Sequence, residues 1–243
     1  MEKLLIDPHT HTVVSGHAFS TLLENLKAAQ EAGLEGIAMT EHAEAIPGAQ
    51  PPFIVSIADG LDDEYFGVRL YKGAELNIMH YDGSVDMAPH YIKKLEFAIA
   101  SMHTIVFQPG TLGQNTEAVV GALSNPYIDV IGHPGNPVYP IDAETVVLAA
   151  KNNNKLLEVN NHSFSVRKGS EANCREILRA CIKHDVRITV GSDAHFCGKV
   201  GNFDNAIALL DDMEFPPELI VTRNKASFDE YLKERAKRIR DIE

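Results

Sequence analysis

Basic residues, cysteines and long apolar runs are all scarce in this chain, and each shortage removes a class of protein. The 22 lysines and arginines are outnumbered by 34 acids, for a formal net charge of −12. The basic surface that leads nucleic-acid binding is therefore missing, and no nucleic-acid polymer is expected as partner. A small anionic substrate stays open. The three cysteines, Cys174, Cys181 and Cys197, are an odd number without C-x-x-C spacing. That pattern fits reduced thiols in a cytoplasmic protein. Cys174 and Cys181 share a helical face and read as packing residues, whereas Cys197, just past Asp193 and His195, is open to either a core or a site-mouth reading. No apolar run approaches a membrane span, and Met1-Glu2-Lys3 leads into the first apolar run without the parts of a secretory signal. No membrane partner and a cytoplasmic location are the expectation. Fixed-period repeats, low-complexity tracts and interdomain linkers are also missing, so residues 1–243 are expected to form one unit.

What is present is a regular alternation. Short apolar runs at about Leu4–Asp7, Gly36–Thr40, Leu70–Leu76, Ala98–Met102, Ile128–Gly132, Leu156–Asn160 and Arg187–Gly191 read as strands. Most are continuously apolar rather than alternating, as parallel strands covered on both faces require. Helical patterns lie between them. Ser20 and Thr21 supply an N-cap with Glu24 in reach, and Leu23, Leu26, Ala29 and Ala32 form a stripe that Gly33 ends. Further helices are expected at Thr111–Leu123, Ala143–Ala150, Ser170–His184, Phe203–Asp212 and about Ser227–Arg240. Seven strand-helix units of this kind imply a parallel α/β sheet, closed or nearly so into a barrel. The loops after the first three strands are long, notably Ala43–Pro52 with Pro47, Pro51 and Pro52.

The strand endings carry the chemistry. They read Asp7-Pro8-His9-Thr10-His11, Thr40-Glu41-His42, Ala74-Glu75, Met102-His103, Gly132-His133-Pro134, Asn160-Asn161-His162 and Ser192-Asp193-Ala194-His195. Strand ends on one rim of a barrel converge, so residues spread along the chain can share a pocket. His9 and His11 stand at i, i+2 and leave an extended segment on the same side, roughly 6–7 Å apart at Cα. Asp193 and His195 repeat that spacing, and His17 follows through a turn-like loop. Glu75 has two oxygens to offer and is the candidate bridging carboxylate. Histidine nitrogen with a few carboxylates suits zinc, manganese or iron better than magnesium or calcium.

A lone histidine at a strand end is more often structural than a ligand. His9, His11, His17, His42, His103, His133, His162 and His195 gathered on one strand set are harder to explain that way. His162 is the outlier of these and is read as a substrate contact. His184 ends a helix, where a cation suits the dipole, and is read as structural. His80 and His90 are read as surface residues. Asp7 and Glu41 adjoin the ligand candidates and are placed to orient them.

Taken together, His9, His11 and His17, Glu41-His42, the isolated Glu75, His103, Gly132-His133-Pro134 and Gly191 to His195 resemble the PHP family, named for polymerase and histidinol phosphatase. The resemblance covers about residues 4–212. The short length and the stretch Val159-Asn160-Asn161 through Arg167-Lys168-Gly169-Ser170 look like its small stand-alone bacterial phosphatases. It implies a distorted (β/α)7 TIM-like barrel with its site at the C-terminal rim of the strands, and three divalent ions, zinc or manganese, with iron as a further candidate. One ion would be held by His9, His11, Glu75 and Asp193, a second by Glu75, His103 and His133, and a third by His17, His42 and His195. Glu41 departs from the family's usual aspartate before His42.

The implied reaction is hydrolysis of a small phosphomonoester by attack of a metal-bridging hydroxide. Glu75, Asp193 and Arg167 are the candidate catalytic residues. Arg167 and Lys168 are read as a phosphate clamp, because arginine matches phosphate with a fork of donors. Asp193 is placed to pass a proton to the leaving oxygen. Three alternatives stay open: a nuclease of the same fold, an amide or lactone hydrolase of the amidohydrolase kind, and a non-catalytic binding module. The acidic balance opposes the first, and the second lacks a metal-bridging lysine at a strand end. Full retention of ligands opposes the third. Among phosphomonoesters, histidinol phosphate is the least favoured, and the loops Ala43–Asp63 and Met79–His90 are expected to select the substrate.

Overall fold

In the computed structural model, which describes residues 3–242, seven parallel strands form a nearly closed barrel. Met1 and Glu2, on which the reading of the N-terminus partly rests, lie outside the described residues. The strands are β1 (Ile6–Thr10), β2 (Gly36–His42), β3 (Glu64–Tyr65), β4 (Val68–Asn77), β5 (Phe97–Ser101), β6 (Val130–Ile131), β7 (Leu156–Asn160) and β8 (Ile188–Gly191). The barrel order is β1-β2-β4-β5-β6-β7-β8, and the two-residue β3 pairs antiparallel with β4 outside that path. Closure between β8 and β1 is partial. At the C-terminal rim His11 N donates to Ala194 O and Asp193 N to His9 O, each at 2.9 Å. At the other end the segment near residues 220–223 intervenes, with Leu5 N donating to Arg223 O and Ile188 bridging Ile220.

The helices are α1 (Leu22–Glu31), α2 (Ile54–Ile57), α3 (Pro89–Ile92), α4 (Leu112–Ser124), α5 (Ala143–Asn152), α6 (Ser163–Val166), α7 (Ser170–His184), α8 (Asp204–Asp212) and α9 (Lys225–Arg240). Capping boxes start two of them, Thr21 with Glu24 at α1 and Thr111 with Gln114 at α4. In place of full helices, the connection after β2 holds the single turn α2, a 3-10 turn and β3, and that after β4 holds the single turn α3. None of the helices among the described residues is long and apolar enough to cross a membrane.

Two expectations need correction. The α1 stripe is displaced: Asn25, Leu26 and Ala29 are buried while Leu23 is 51% exposed, because the Thr21 cap sets the phase of the helix. The strand expected at Ile128–Gly132 shrinks to Val130–Ile131, because His133 turns into the left-handed region with φ 34°.

Inside the barrel, polarity changes along the axis. The N-terminal half is filled by Ile6, Tyr71, Phe97 and Leu156, against which α9 seats Phe228 and Tyr231. Asp129, fully buried, secures that plug by accepting from Arg235 Nε at 2.6 Å and from Arg238. Toward the C-terminal ends of β4 and β7 the inward positions turn polar. Leu156 gives way to Glu158 and then Asn160 on β7, and Tyr71 to Gly73, Glu75 and Asn77 on β4. The period-2 geometry of a strand keeps each such series on one face.

Candidate metal centre

All nine candidate ligands from the sequence meet at the C-terminal rim. Glu75 sits at the centre with its two oxygens turned to different neighbours. Oε2 lies 2.8 Å from His42 Nδ1, 3.4 Å from His9 Nε2 and 3.5 Å from His11 Nε2. Oε1 lies 3.1 Å from His133 Nε2 and 3.4 Å from His103 Nε2. Asp193 Oδ1 is 3.3 Å from His11 Nε2 and 3.7 Å from His9 Nε2. At the mouth His17 Nε2 stands 3.1 Å from His195 Nε2, and the His17 ring stacks on that of His42 at 4.8 Å. His42 therefore belongs to two groupings, one with His11 and His195 and one with Glu75 and His103. His9, His11 and Asp193 form a third.

The outward-facing ring nitrogens explain how these imidazoles are oriented. His9 Nδ1 donates to Glu158 Oε1 at 2.7 Å, and His103 Nδ1 donates to Asn77 Oδ1 at 2.7 Å. The Asn77 amide is fixed in turn, because its Nδ2 donates to Asp86. His195 Nδ1 donates to the Asp193 carbonyl. His11 Nδ1 donates to Ser15 Oγ at 3.1 Å, and the Ser15 hydroxyl donates in turn to Glu41 Oε2. With Nδ1 protonated and occupied, each Nε2 presents a lone pair to the cleft. Glu41 thus orients His11 through Ser15. Asp7 acts through the backbone: it accepts from His9 N at 3.4 Å, and from Ser192 N and Gly201 N, and so fixes the turn that carries Asp193.

Four ligand-type atoms are buried and make no hydrogen bond of proper geometry: His9 Nε2, His11 Nε2, and His42 Nδ1 and Glu75 Oε2, which approach each other without aligning for one. An unpartnered buried polar atom costs about 1–3 kcal/mol, so four facing one another need a common partner. The charges point the same way. Burial drives the His11 imidazole well below its ordinary pKa, aided by neighbouring His42, and takes His133 down to about 4. Burial alone would raise Glu75 and Asp193, but the histidines around each hold both carboxyls well below the usual range. His9 goes up: burial opposes its charge, yet Glu158, Glu75 and Asp193 together outweigh burial. Neutral imidazoles, ionised carboxylates and a local demand for positive charge are the donor set of a divalent cation.

Backbone strain is concentrated here. His133 and Asp193 both adopt positive φ, 34° and 54°, which non-glycine residues seldom do. The kinks turn the two side chains back over the barrel mouth. Gly191 is required on β8, since a Cβ there would come within 2.4 Å of Glu158 Oε1 and 2.8 Å of His9 Cβ.

The cleft above the cluster has a volume of about 370 Å³ and is lined by His17, His42, Glu75, His103, His162 and Arg167 among others. Arg167 is half-buried. It donates to Ser163 Oγ at 2.8 Å and approaches Asp193 Oδ2 at 3.6 Å. Lys168, read as its partner in a clamp, is exposed and outside the cleft lining, because the α6 turn directs adjacent side chains apart. Cys174 and Cys181 are buried, with thiols pushed up to about 12 by burial, and Cys197 is half-buried and does not line the cleft. His80 and His90 are exposed, and His184 ends α7 against Glu144.

Sequence reasoning missed Glu158. It accepts from His9 Nδ1, His133 N and Asn160 Nδ2, tying three strand ends together. The available signal was an acid inside the apolar run Leu156-Leu157-Glu158-Val159-Asn160.

Fold and site together define a (β/α)7 barrel with a buried histidine–carboxylate cluster at the C-terminal rim of its strands. The chain belongs to a bacterial phosphatase family. A protein of Acetivibrio thermocellus named probable phosphatase is 47% identical over 238 residues, 98% of this chain and 99% of that protein. One of Clostridium novyi with the same description is 44% identical over 97% of both chains. The crystal structure of histidinol phosphate phosphatase from Lactococcus lactis, complexed with zinc, L-histidinol and phosphate, superposes with a TM-score of 0.57. That match covers 88% of this chain and 95% of the other at 17% identity, a likeness of fold. No protein-family model matches the chain.

Proposed function

We propose that the chain is a metal-dependent phosphatase of the PHP type, hydrolysing a small phosphomonoester at a site for three divalent ions. The observation that carries this reading is the set of four buried, unpartnered ligand atoms facing one another at the convergence of nine candidate ligands. His9, His11, Glu75 and Asp193 would hold one ion, Glu75, His103 and His133 a second, and His17, His42 and His195 a third. Zinc and manganese both suit these donors, and iron is compatible. Bound ions supply Lewis acidity that brings the pKa of water toward neutrality and offsets charge on the phosphoryl oxygens.

The chain's own residues perform the rest. The α9 plug and the apolar barrel floor exclude bulk water from below. Arg167, held by Ser163, donates to phosphoryl oxygens and aligns phosphorus above Glu75. As the water oxygen bonds to phosphorus and the bond to the leaving oxygen breaks, Asp193 Oδ2 takes the water proton. It returns that proton to the leaving alkoxide, so alcohol and hydrogen phosphate are the products. His162, half-buried at the cleft edge, contacts the alcohol portion.

Elemental analysis of protein purified without chelator, and again after zinc or manganese loading, tests this reading. About three ions per chain and hydrolysis of simple phosphomonoesters are expected. Glu75→Gln should lower the metal content and abolish turnover. At most one ion after loading, or near-normal turnover in the variant, overturns the bridging assignment.

A further inference from the structure

A second cavity, of about 440 Å³, opens beside the metal cleft and shares His162, Asp193 and His195 with it. Arg167, Glu75 and His103 line only the first cavity. An ester with its phosphoryl group at Arg167 therefore reaches the second cavity with its alcohol portion, passing His162. Two large rings stand on the walls of that second space. Phe19 is 82% exposed and Phe196 is 52% exposed, and both lie outside the hydrophobic cores of the barrel. Their backbones are well held: Phe19 N donates to the His195 carbonyl at 2.8 Å, and the neighbouring Cys197 N donates to Ser20 Oγ at 2.8 Å.

Polar groups complete the lining. Asn202 has its amide fixed by Asn161 and the Asp204 backbone, while Asn205 and Lys199 reach the cavity with no side-chain partner among the described residues. Aromatic faces accept planar rings by stacking, and amide and ammonium groups satisfy polar ring substituents.

We infer that the second cavity seats the alcohol portion of the substrate and that this alcohol carries a planar ring. Phe19 and Phe196 are then the specificity-determining residues of the reaction. The inference rests on the phosphomonoesterase reading, and the test separates the two.

The measurement is kcat/KM for 2-phenylethyl phosphate and for n-butyl phosphate, two esters of primary alcohols that differ in the ring. The wild-type metal-loaded enzyme should prefer the phenylethyl ester by about tenfold or more, the scale of one aromatic stacking contact. In the Phe19→Ala/Phe196→Ala double variant that ratio should collapse toward one, whereas Phe196→Tyr should preserve it. Both phenylalanines are surface residues, so the double variant is expected to fold, which its thermal melt will verify. Equal kcat/KM for the two esters in the wild type, or an unchanged ratio in the double variant, overturns the ring assignment alone. Inactivity of the loaded wild type toward both esters overturns the phosphatase reading and the ring assignment with it.

Discussion

Glu158→Gln isolates the part of the site that its sequence conceals. Glu158 Oε1 receives His9 Nδ1–H, while Oε2 receives both the His133 amide and the Asn160 side chain. Glutamine retains one acceptor oxygen. Satisfying the larger number of donors places that oxygen opposite His133 and Asn160, and the new NH2 then faces His9 Nδ1. Two donors cannot share that contact, so His9 is driven to the other tautomer, with its proton on Nε2. Nε2 is the atom directed at Glu75 and Asp193, and once protonated it cannot ligate. Loss of an orienting partner of this kind costs about 10–100-fold in metal affinity or activity, or roughly 1.4–2.8 kcal/mol. The shape of the side chain is unchanged, so the fold should be retained. Metal content after equilibrium dialysis against buffered zinc, together with phosphomonoester turnover, is the assay. A fall of about one ion per chain with a matching loss of kcat/KM is expected. Full metal content and turnover within threefold of the wild type would refute the tautomer argument.

If Arg167 binds the phosphoryl group as proposed, Arg167→Ala should raise KM for phosphomonoesters by about tenfold or more without altering metal content, because the guanidinium is no metal ligand. Steady-state kinetics with parallel elemental analysis decides it, and an unchanged KM removes Arg167 from the phosphate site. Asp129→Asn addresses the opposite end of the barrel. It leaves the buried Arg235 and its neighbour Arg238 without their carboxylate, and breaking a buried pair costs about 3–5 kcal/mol. For a chain of this size that is roughly a 10 °C fall in Tm. A melt within 2 °C or so of the wild type would show that α9 is held chiefly by Phe228 and Tyr231.

The strands and the residues that cluster at the rim were legible because each is a local pattern. A parallel strand covered on both faces must be apolar along its length, and a histidine or acid at its end interrupts that pattern visibly. Glu158 is different. It is a single polar residue inside an apolar run, and its partner His9 is 149 residues away, so only the closed barrel shows that the two touch. Asn77 and Asp86 are hidden for the same reason, since a hydrogen bond to the far side of His103 leaves no periodic trace. The left-handed turns at His133 and Asp193 leave no glycine in the sequence to mark them, since histidine and aspartate are among the side chains that tolerate positive φ. Arg167 and Lys168 are adjacent and equally charged, and only the single turn of α6 decides which one faces the cleft. The displaced α1 stripe has a similar cause: Asn25 takes a buried position because its amide donates to the His11 carbonyl at 2.9 Å.

The gradient along the barrel axis links these observations. A closed sheet has a fixed interior volume, and filling one end with Tyr71, Phe97, Phe228 and Tyr231 leaves the other end free to be polar. Polar residues can occupy that end only if each finds a partner, and most do through Glu158, Asn77, Ser15 and Asn160. The four atoms without a partner all point to the same place. A barrel under no functional demand gains nothing from holding buried polar atoms of Glu75, His9, His11 and His42 without a partner. Their presence locates the demand at the rim, where the positive φ of His133 and Asp193 and the contact geometry at Gly191 are also found. The strain, the unpartnered ligand atoms and the missing Cβ are thus three consequences of one requirement, the close convergence of ligand atoms around a positive charge.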